Sequence, residues 1–238
     1  MLSACRMESR MQKEALAGKE ERTEYSLLEG TELELKVTVL SGQSKEPSIY
    51  LVGGIHGDEI AGWMAADRWK EEKLQNGSLY IVSPANRYGA EHRKRKTKEE
   101  RDLNRNFPGD ADGCDAERIA AAIYQDIGEK QPELVLDLHE ATAEEGRDFL
   151  GNSLICQSME KDGDLILDLL DASSRGELTS GKLTLYGSPP PGSINRVVTE
   201  ALGIPVITVE TDREEALETR IRNQMEIVEY VLQYFEMK

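Results

Sequence analysis

The stretch Leu51-Val52-Gly53-Gly54-Ile55-His56-Gly57-Asp58-Glu59 decides the fold. A short apolar, β-prone run breaks at paired glycines and delivers a histidine, then a carboxylate three residues on. Ile60, Trp63, Met64, Ala66 and Trp69 follow at helical spacing, so the segment reads as strand, turn and helix, with Asp58 and Glu59 expected in the first helical turn. A similar setting recurs at Leu134-Val135-Leu136-Asp137-Leu138-His139, again a histidine expected at the end of a buried strand. The chain holds only three histidines, and His92 is the third. A histidine after a strand is commonly a packed or capping residue. Here two of them, in matching settings, join Glu59 to give three N/O donors, the ligand set of a catalytic zinc site whose fourth position stays open for water.

Working outward, strands are expected at 32–40, 49–53, 79–82, 133–138, 182–185 and 205–209, and helices at 58–74, 115–127, 162–170, 194–202 and 214–235. Residues 86–112, charged and carrying Pro108 and Gly109, read as one long loop, a length that in compact domains usually signals function or disorder. Gly187-Ser188-Pro189-Pro190-Pro191-Gly192 is irregular. Strands alternating with helices imply an α/β fold: a single domain with a mostly parallel or mixed central sheet and helices on both faces. At 238 residues one large core is expected, with residues 1–24 a polar N-terminal segment and 25–238 the domain itself.

Composition excludes several classes. A formal net charge of −16 and a pI near 4.7 oppose binding to a nucleic-acid backbone or an anionic membrane surface. No apolar run approaches the ~20 residues of a spanning helix. The first 24 residues, rich in Glu, Lys and Arg, do not read as a secretory signal, so a cytoplasmic location is expected. Cys5, Cys114 and Cys156 are odd in number and far apart, which fits reduced thiols, and no Cys-x-x-Cys pair offers a structural zinc site.

Glu210 ends the apolar run Pro205-Val206-Ile207-Thr208-Val209. Burying a carboxylate there is costly unless it is partnered. Beside a metal it reads as a general base that takes a proton from bound water and passes it to a leaving nitrogen; otherwise it is a strand end meeting solvent. In open α/β sheets, ligands bind beyond the carboxyl ends of the strands, where His56, Glu59, His139 and Glu210 would converge. The loop adds Arg101-Asp102-Leu103-Asn104-Arg105-Asn106-Phe107-Pro108-Gly109, in which Arg suits bidentate carboxylate binding. Upstream, Glu91-His92-Arg93-Lys94-Arg95-Lys96-Thr97-Lys98 is a basic cluster in an acidic chain, either a solvated face or a field that recruits an anion.

Four of these segments, His56-Gly57-Asp58-Glu59, Asp102 to Gly109, Asp137-Leu138-His139 and Thr208-Val209-Glu210, resemble in order and spacing the signatures of the zinc carboxypeptidase superfamily. Within it the chain most resembles the succinylglutamate desuccinylase and aspartoacylase branch. The Asp-Leu-Asn-Arg loop runs into Ala116-Glu117-Arg118-Ile119-Ala120, and Asp137-Leu138-His139-Glu140-Ala141-Thr142 is followed by Gly146. The resemblance implies a zinc carboxypeptidase-like fold and one Zn2+ per chain on His56, Glu59 and His139. It implies Glu210 as base, Asn104 and Arg105 gripping a substrate carboxylate, and Asp102 orienting His56 from behind. The branch also has an arginine that polarises the scissile carbonyl. Arg93, Arg95 and Arg101 compete for that role, and Arg95 is the first choice.

Two departures bear on substrate. Members of the branch carry a β-rich C-terminal extension, whereas one helix follows Glu210 here. The segment from Tyr186 to Ile194 instead resembles the carboxypeptidase loop whose tyrosine covers a bound peptide end, which makes Tyr186 a candidate substrate contact. The expected function is a zinc-dependent hydrolase cleaving an amide bond in a small molecule or short peptide with a free carboxylate. An N-acyl amino acid deacylase comes first. A metallocarboxypeptidase acting on peptides or cell-wall fragments, and a non-catalytic metal-binding domain, are the alternatives. Neither nucleic acid nor membrane is an expected partner, and the sequence leaves the oligomeric state open.

Overall fold

The computed structural model describes residues 21–142 and 150–238. Its strands are β1 (Glu21–Leu27), β2 (Leu35–Ser41), β3 (Ser48–Gly53), β4 (Ser78–Val82), β5 (Leu134–Ala141), β6 (Ser153–Cys156), β7 (Thr184–Tyr186) and β8 (Val206–Asp212). Its helices are α1 (Ile60–Trp69), α2 (Arg87–His92), α3 (Asp115–Lys130), α4 (Gly163–Ser174), α5 (Ile194–Leu202) and α6 (Leu217–Tyr234), with a 3-10 turn at Leu103–Arg105. The eight strands form one sheet in the order β1-β2-β4-β3-β5-β8-β6-β7. The centre, β4-β3-β5-β8, is parallel, while β1, β2 and the β6/β8 pair are antiparallel, so the sheet is mixed, as the alternation of elements implied.

Every residue of β3 and β5 is buried, because helices cover both faces of the sheet. On one face Leu134, Leu136 and Leu138 pack with Ala61 and Ala65 of α1, Leu165 and Leu169 of α4, and Ile227 and Val231 of α6. On the other, Val52, Ile55 and Val135 pack with Ile119 and Ile123 of α3 and Ile194 and Val198 of α5. From β3 the chain crosses through α1 to β4 on one side, and later enters β5 on the other. The connections therefore diverge between β3 and β5, the crevice where open α/β sheets bind ligands.

Several boundaries differ from expectation. β1 was not anticipated: it is an exposed edge strand with no apolar run, and it begins at Glu21, so the boundary drawn after residue 24 falls inside it. β6 was missed because four residues are too few to show a period. The 86–112 segment contains α2 and the 3-10 turn. The strand expected at 205–209 runs on to Asp212, and that expected at 133–138 runs on to Ala141. His139 and Glu210 thus lie inside paired strands and not at their ends, because the β5/β8 ladder continues through Glu140 with Thr211 and Ala141 with Asp212. Among the described residues no helix is long and apolar enough to cross a membrane.

Candidate active site

Beyond Gly53 the chain turns sharply into α1, and Gly57 is held against α2. A Cβ at residue 57 would stand 1.9 Å from the Gly89 carbonyl carbon, so the turn that presents His56 requires glycine. Glu59 occupies the position just before α1 but makes no side-chain cap hydrogen bond to it, contrary to its expected place in the first helical turn. Its carboxylate faces the histidines instead. Oε1 lies 2.7 Å from His56 Nδ1 and Oε2 lies 2.7 Å from His139 Nδ1. The two Nδ1 atoms are themselves 3.1 Å apart.

The other ring nitrogens are committed to carboxylates, His56 Nε2 to Asp102 Oδ1 at 3.1 Å and His139 Nε2 to Asp137 Oδ2 at 2.9 Å. A neutral ring that donates from Nε2 carries its lone pair on Nδ1. Two such lone pairs and a carboxylate then face one point, which only a cation satisfies, and two nitrogens with a carboxylate form a donor set that suits zinc. The residues present therefore fit the metal that the sequence implied.

His56, Glu59 and His139 line a cavity of about 350 Å3. Glu210 lines it too, from β8, as the Cα partner of His139 in the sheet, and it is 9% exposed. Arg95 lines the cavity, with one terminal nitrogen 3.1 Å from Glu59 Oε1 and the other 3.3 Å from Asp102 Oδ2. All three candidate arginines are exposed, but Arg93 and Arg101 do not line the cavity, which separates them from Arg95 by position. Arg105 and Asn104 sit on the wall, Arg105 donating to the Asn104 carbonyl at 2.7 Å. Asn104 is partly committed within the protein: its Oδ1 accepts the Ile194 N–H at 3.0 Å, and its Nδ2 lies 3.4 Å from His139 Nε2. Gly192, at φ +74°, lets the Pro-rich loop approach Arg105; a Cβ there would stand 2.4 Å from the Arg105 carbonyl oxygen. Tyr186, Ser188, Pro189 and Pro190 line the cavity too, with Leu150 and Ile155.

The third histidine, His92, is exposed, stacks on Tyr88 and takes no part in the cavity. In the basic cluster Lys94 pairs with Glu100 and Lys98 with Glu32 at the surface. Cys114 and Cys156 are free thiols, while Cys5 and Gly146 lie outside the described residues.

Burial pushes the Glu210 carboxyl up to about 8, against the attraction of His139. Burial alone would lower the two histidines, but the carboxylates around them outweigh it and raise both, His139 most through Asp137 and Glu59. Asp102 shows the reverse: burial would raise it, yet the hydrogen bond from His56 and the nearby Arg95 and Arg105 hold it below the usual carboxylate range.

Sequence reasoning gave Asp137 no role, although it precedes His139 by two residues. Side chains two apart on a strand share a face, so a carboxylate inside an apolar strand beside a candidate ligand was the available signal. Also unanticipated, Thr208 Oγ1 lies 3.3 Å from Asp137 Oδ2 and accepts Asn195 Nδ2 at 2.9 Å, which extends the polar network behind His139.

The mixed α/β sheet, with a His–Glu–His set and a buried carboxylate at its switch point, defines a candidate metallohydrolase centre. The family model for the Succinylglutamate desuccinylase/Aspartoacylase catalytic domain matches residues 45–233, and the chain belongs to that family. Among curated proteins it is 36% identical over 115 residues to an N-acyl-aromatic-L-amino acid amidohydrolase (carboxylate-forming) of Xenopus tropicalis, an alignment covering 43% of this chain and 36% of that protein. It is 35% identical over 113 residues to an N-alpha-acetyl-L-2,4-diaminobutyric acid deacetylase of Halomonas elongata, covering 44% of this chain and 31% of the relative. The matches thus span about a third of these relatives. In fold it is similar to an aspartoacylase family protein from Mesorhizobium loti, with a TM-score of 0.70, 22% identity and coverage of 93% of this chain and 69% of that one. It is also similar to the cell shape determinant Csd4 of Helicobacter pylori, with a TM-score of 0.72, 16% identity and coverage of 86% and 55%.

Proposed function

We propose that the chain is a zinc-dependent amidohydrolase that cleaves the amide bond of a small N-acyl amino acid bearing a free carboxylate. The observation that carries this is the pair of Nδ1 atoms turned towards Glu59, each ring fixed from behind by its own carboxylate, in a cavity that also holds Glu210. The two curated relatives named above are an amidohydrolase and a deacetylase of N-acyl amino acids, which supports the same reading. Zinc held by His56, Glu59 and His139 would supply Lewis-acid polarisation and a nucleophilic water at neutral pH.

The chain's own groups divide the remaining work. Glu210, its affinity for a proton raised by burial, accepts a proton and returns it to the departing nitrogen. Arg95, beside Glu59, is placed to donate to the charge that develops on the scissile carbonyl oxygen. Arg105, with Asn104, grips the substrate carboxylate, and Tyr186, which lines the same cavity, contacts the substrate. The cavity volume lies near the lower end of the range of roughly 300–1,000 Å3 typical of small-molecule sites, which favours a small substrate. The wall formed by Tyr186 and the Pro-rich loop is the observation that favours the second reading, removal of a C-terminal residue from a short peptide. A non-catalytic metal-binding domain leaves Glu210 without a task.

The test is elemental analysis of protein purified without chelators, followed by a panel of N-acyl amino acids and short peptides. About one zinc per chain is expected, with release of free amino acid from the N-acyl compounds. Stoichiometric zinc in His56→Ala or His139→Ala would remove the ligand assignment, and zinc without turnover on any of the panel would remove the reaction.

A further inference from the structure

We propose that Glu140 is a positioning residue for the ligand Glu59, acting from the opposite face of the sheet through a buried ion pair with Arg220 of α6. The inference rests on the reading of His56, Glu59 and His139 as a metal site. Side chains alternate along β5, so Asp137 and His139 share the face of Val135, while Glu140, which also lines the cavity, shares the face of Leu136 and Leu138 that packs on α1 and α6. Glu140 Oε2 accepts the Ala61 backbone N–H at 2.9 Å, and the Glu140 backbone N–H donates to Glu59 Oε2 at 3.1 Å. One residue thus holds both the first turn of α1 and the carboxylate immediately before it.

Its remaining oxygen, Oε1, pairs with Arg220, the two side chains being 0% and 13% exposed. Gln224, one turn further along the same face of α6, donates to the His139 carbonyl at 2.7 Å and to Thr211 Oγ1 at 2.9 Å. Two α6 side chains therefore fasten two consecutive residues of β5, one carrying a ligand and the other touching one. A buried ion pair adds little net stability compared with apolar side chains of similar volume, because desolvation offsets the attraction. What this pair does hold is the backbone at Ala61, two residues beyond Glu59. Groups behind a metal ligand typically change metal affinity by about 10–100-fold when removed.

The experiment compares the wild-type chain with Glu140→Met/Arg220→Met, which removes both charges together and leaves neither buried alone. Three quantities are read: zinc affinity by competition with a chromogenic chelator, the visible spectrum of the cobalt-substituted protein, and the melting temperature of the metal-free protein. Zinc binding about 10–100-fold weaker with a shifted cobalt band is the expected result, with a lowered metal-free melting temperature because the Ala61 N–H loses its acceptor. Wild-type zinc affinity and an unshifted band would overturn the inference and reduce the pair to a structural contact. If the double variant does not fold, Glu140→Gln carries the test: it keeps an acceptor for Ala61 but offers Arg220 no charge, and a severalfold loss of zinc affinity with a shifted band is expected. Unchanged values there overturn the proposal equally. A wild-type chain that takes up neither zinc nor cobalt would instead bring down the ligand assignment itself, and this inference with it.

Discussion

The Nδ1 atoms of His56 and His139 face each other at 3.1 Å, although the two rings come from positions 83 residues apart. Neutral rings so placed oppose two lone pairs, so a shared cation, whether proton or metal, completes the arrangement. Asp102 and Asp137 hold the rings from behind, and the rings themselves meet edge to face, with centroids 4.7 Å apart.

Asp137 is accordingly expected to tune the metal. Asp137→Ala should weaken zinc binding by about 10–100-fold, while Asp137→Asn, whose amide oxygen still accepts from Nε2, should recover much of the loss. Competition titration with a chelator reads both. Full affinity in the alanine variant would mean that His139 is oriented by other contacts.

Glu210 should separate chemistry from metal binding. Glu210→Gln preserves shape but cannot take a proton, so zinc content should match wild type while kcat falls by at least about 10²-fold. Unaltered hydrolysis of the best substrate would make Glu210 a structural residue.

Arg105 tests carboxylate recognition. If it forks onto the substrate's carboxylate, Arg105→Lys should impair kcat/KM nearly as much as Arg105→Ala, since a point charge cannot make two parallel bonds. Amidating that carboxylate should reproduce the loss in wild type and add little in the variant, because both changes delete one interaction. Equal rates for free acid and amide in the wild type would end the deacylase and carboxypeptidase readings together.

A pH dependence of stability is expected from Asp162, far from the chemistry. It stands just before α4 without a cap hydrogen bond, its Oδ2 is buried with no partner among the described residues, and burial pushes its carboxyl up to about 6. The folded pKa lies above the unfolded value of ~3.9, so the folded state holds the proton more tightly and stability falls as pH rises from ~4 through ~6. Because the residue is only half-buried, the penalty at neutral pH is discounted to about 1 kcal/mol. Asp162→Asn should recover that amount in denaturant titrations at pH 7.5 and gain nothing at pH 4. An equal effect at both values would exclude titration as the cause.

What the chain shows in its sequence follows from which faces are covered. β3 and β5 are legible because both faces are buried and the residues read as apolar runs. β1 is not, since an exposed edge places no demand on side-chain polarity. The strand carrying Glu210 looked shorter than it is because Glu210, Thr211 and Asp212 are polar, yet their backbone pairing with β5 continues. At the site, His56, Glu59, His139, Asp102, Arg95 and Glu210 do converge. Asp137 and Arg220 escaped notice for different reasons: Asp137 is a charge inside an apolar strand, Arg220 is one charge among polar neighbours on a helix, and the third dimension shows what each pairs with.

Glu59 stands where a helix usually places the side chain that caps it, and α1 begins without such a cap. A cap there is worth about 1 kcal/mol to a helix, and in this chain the single carboxylate is turned to His56 and His139 instead of capping. The first turn of α1 is thereby left dependent on Glu140 for one of its free N–H groups. Selection for thermal robustness alone would favour a short capping side chain at this position, so any stabilising change found there should be read first as a loss of the site.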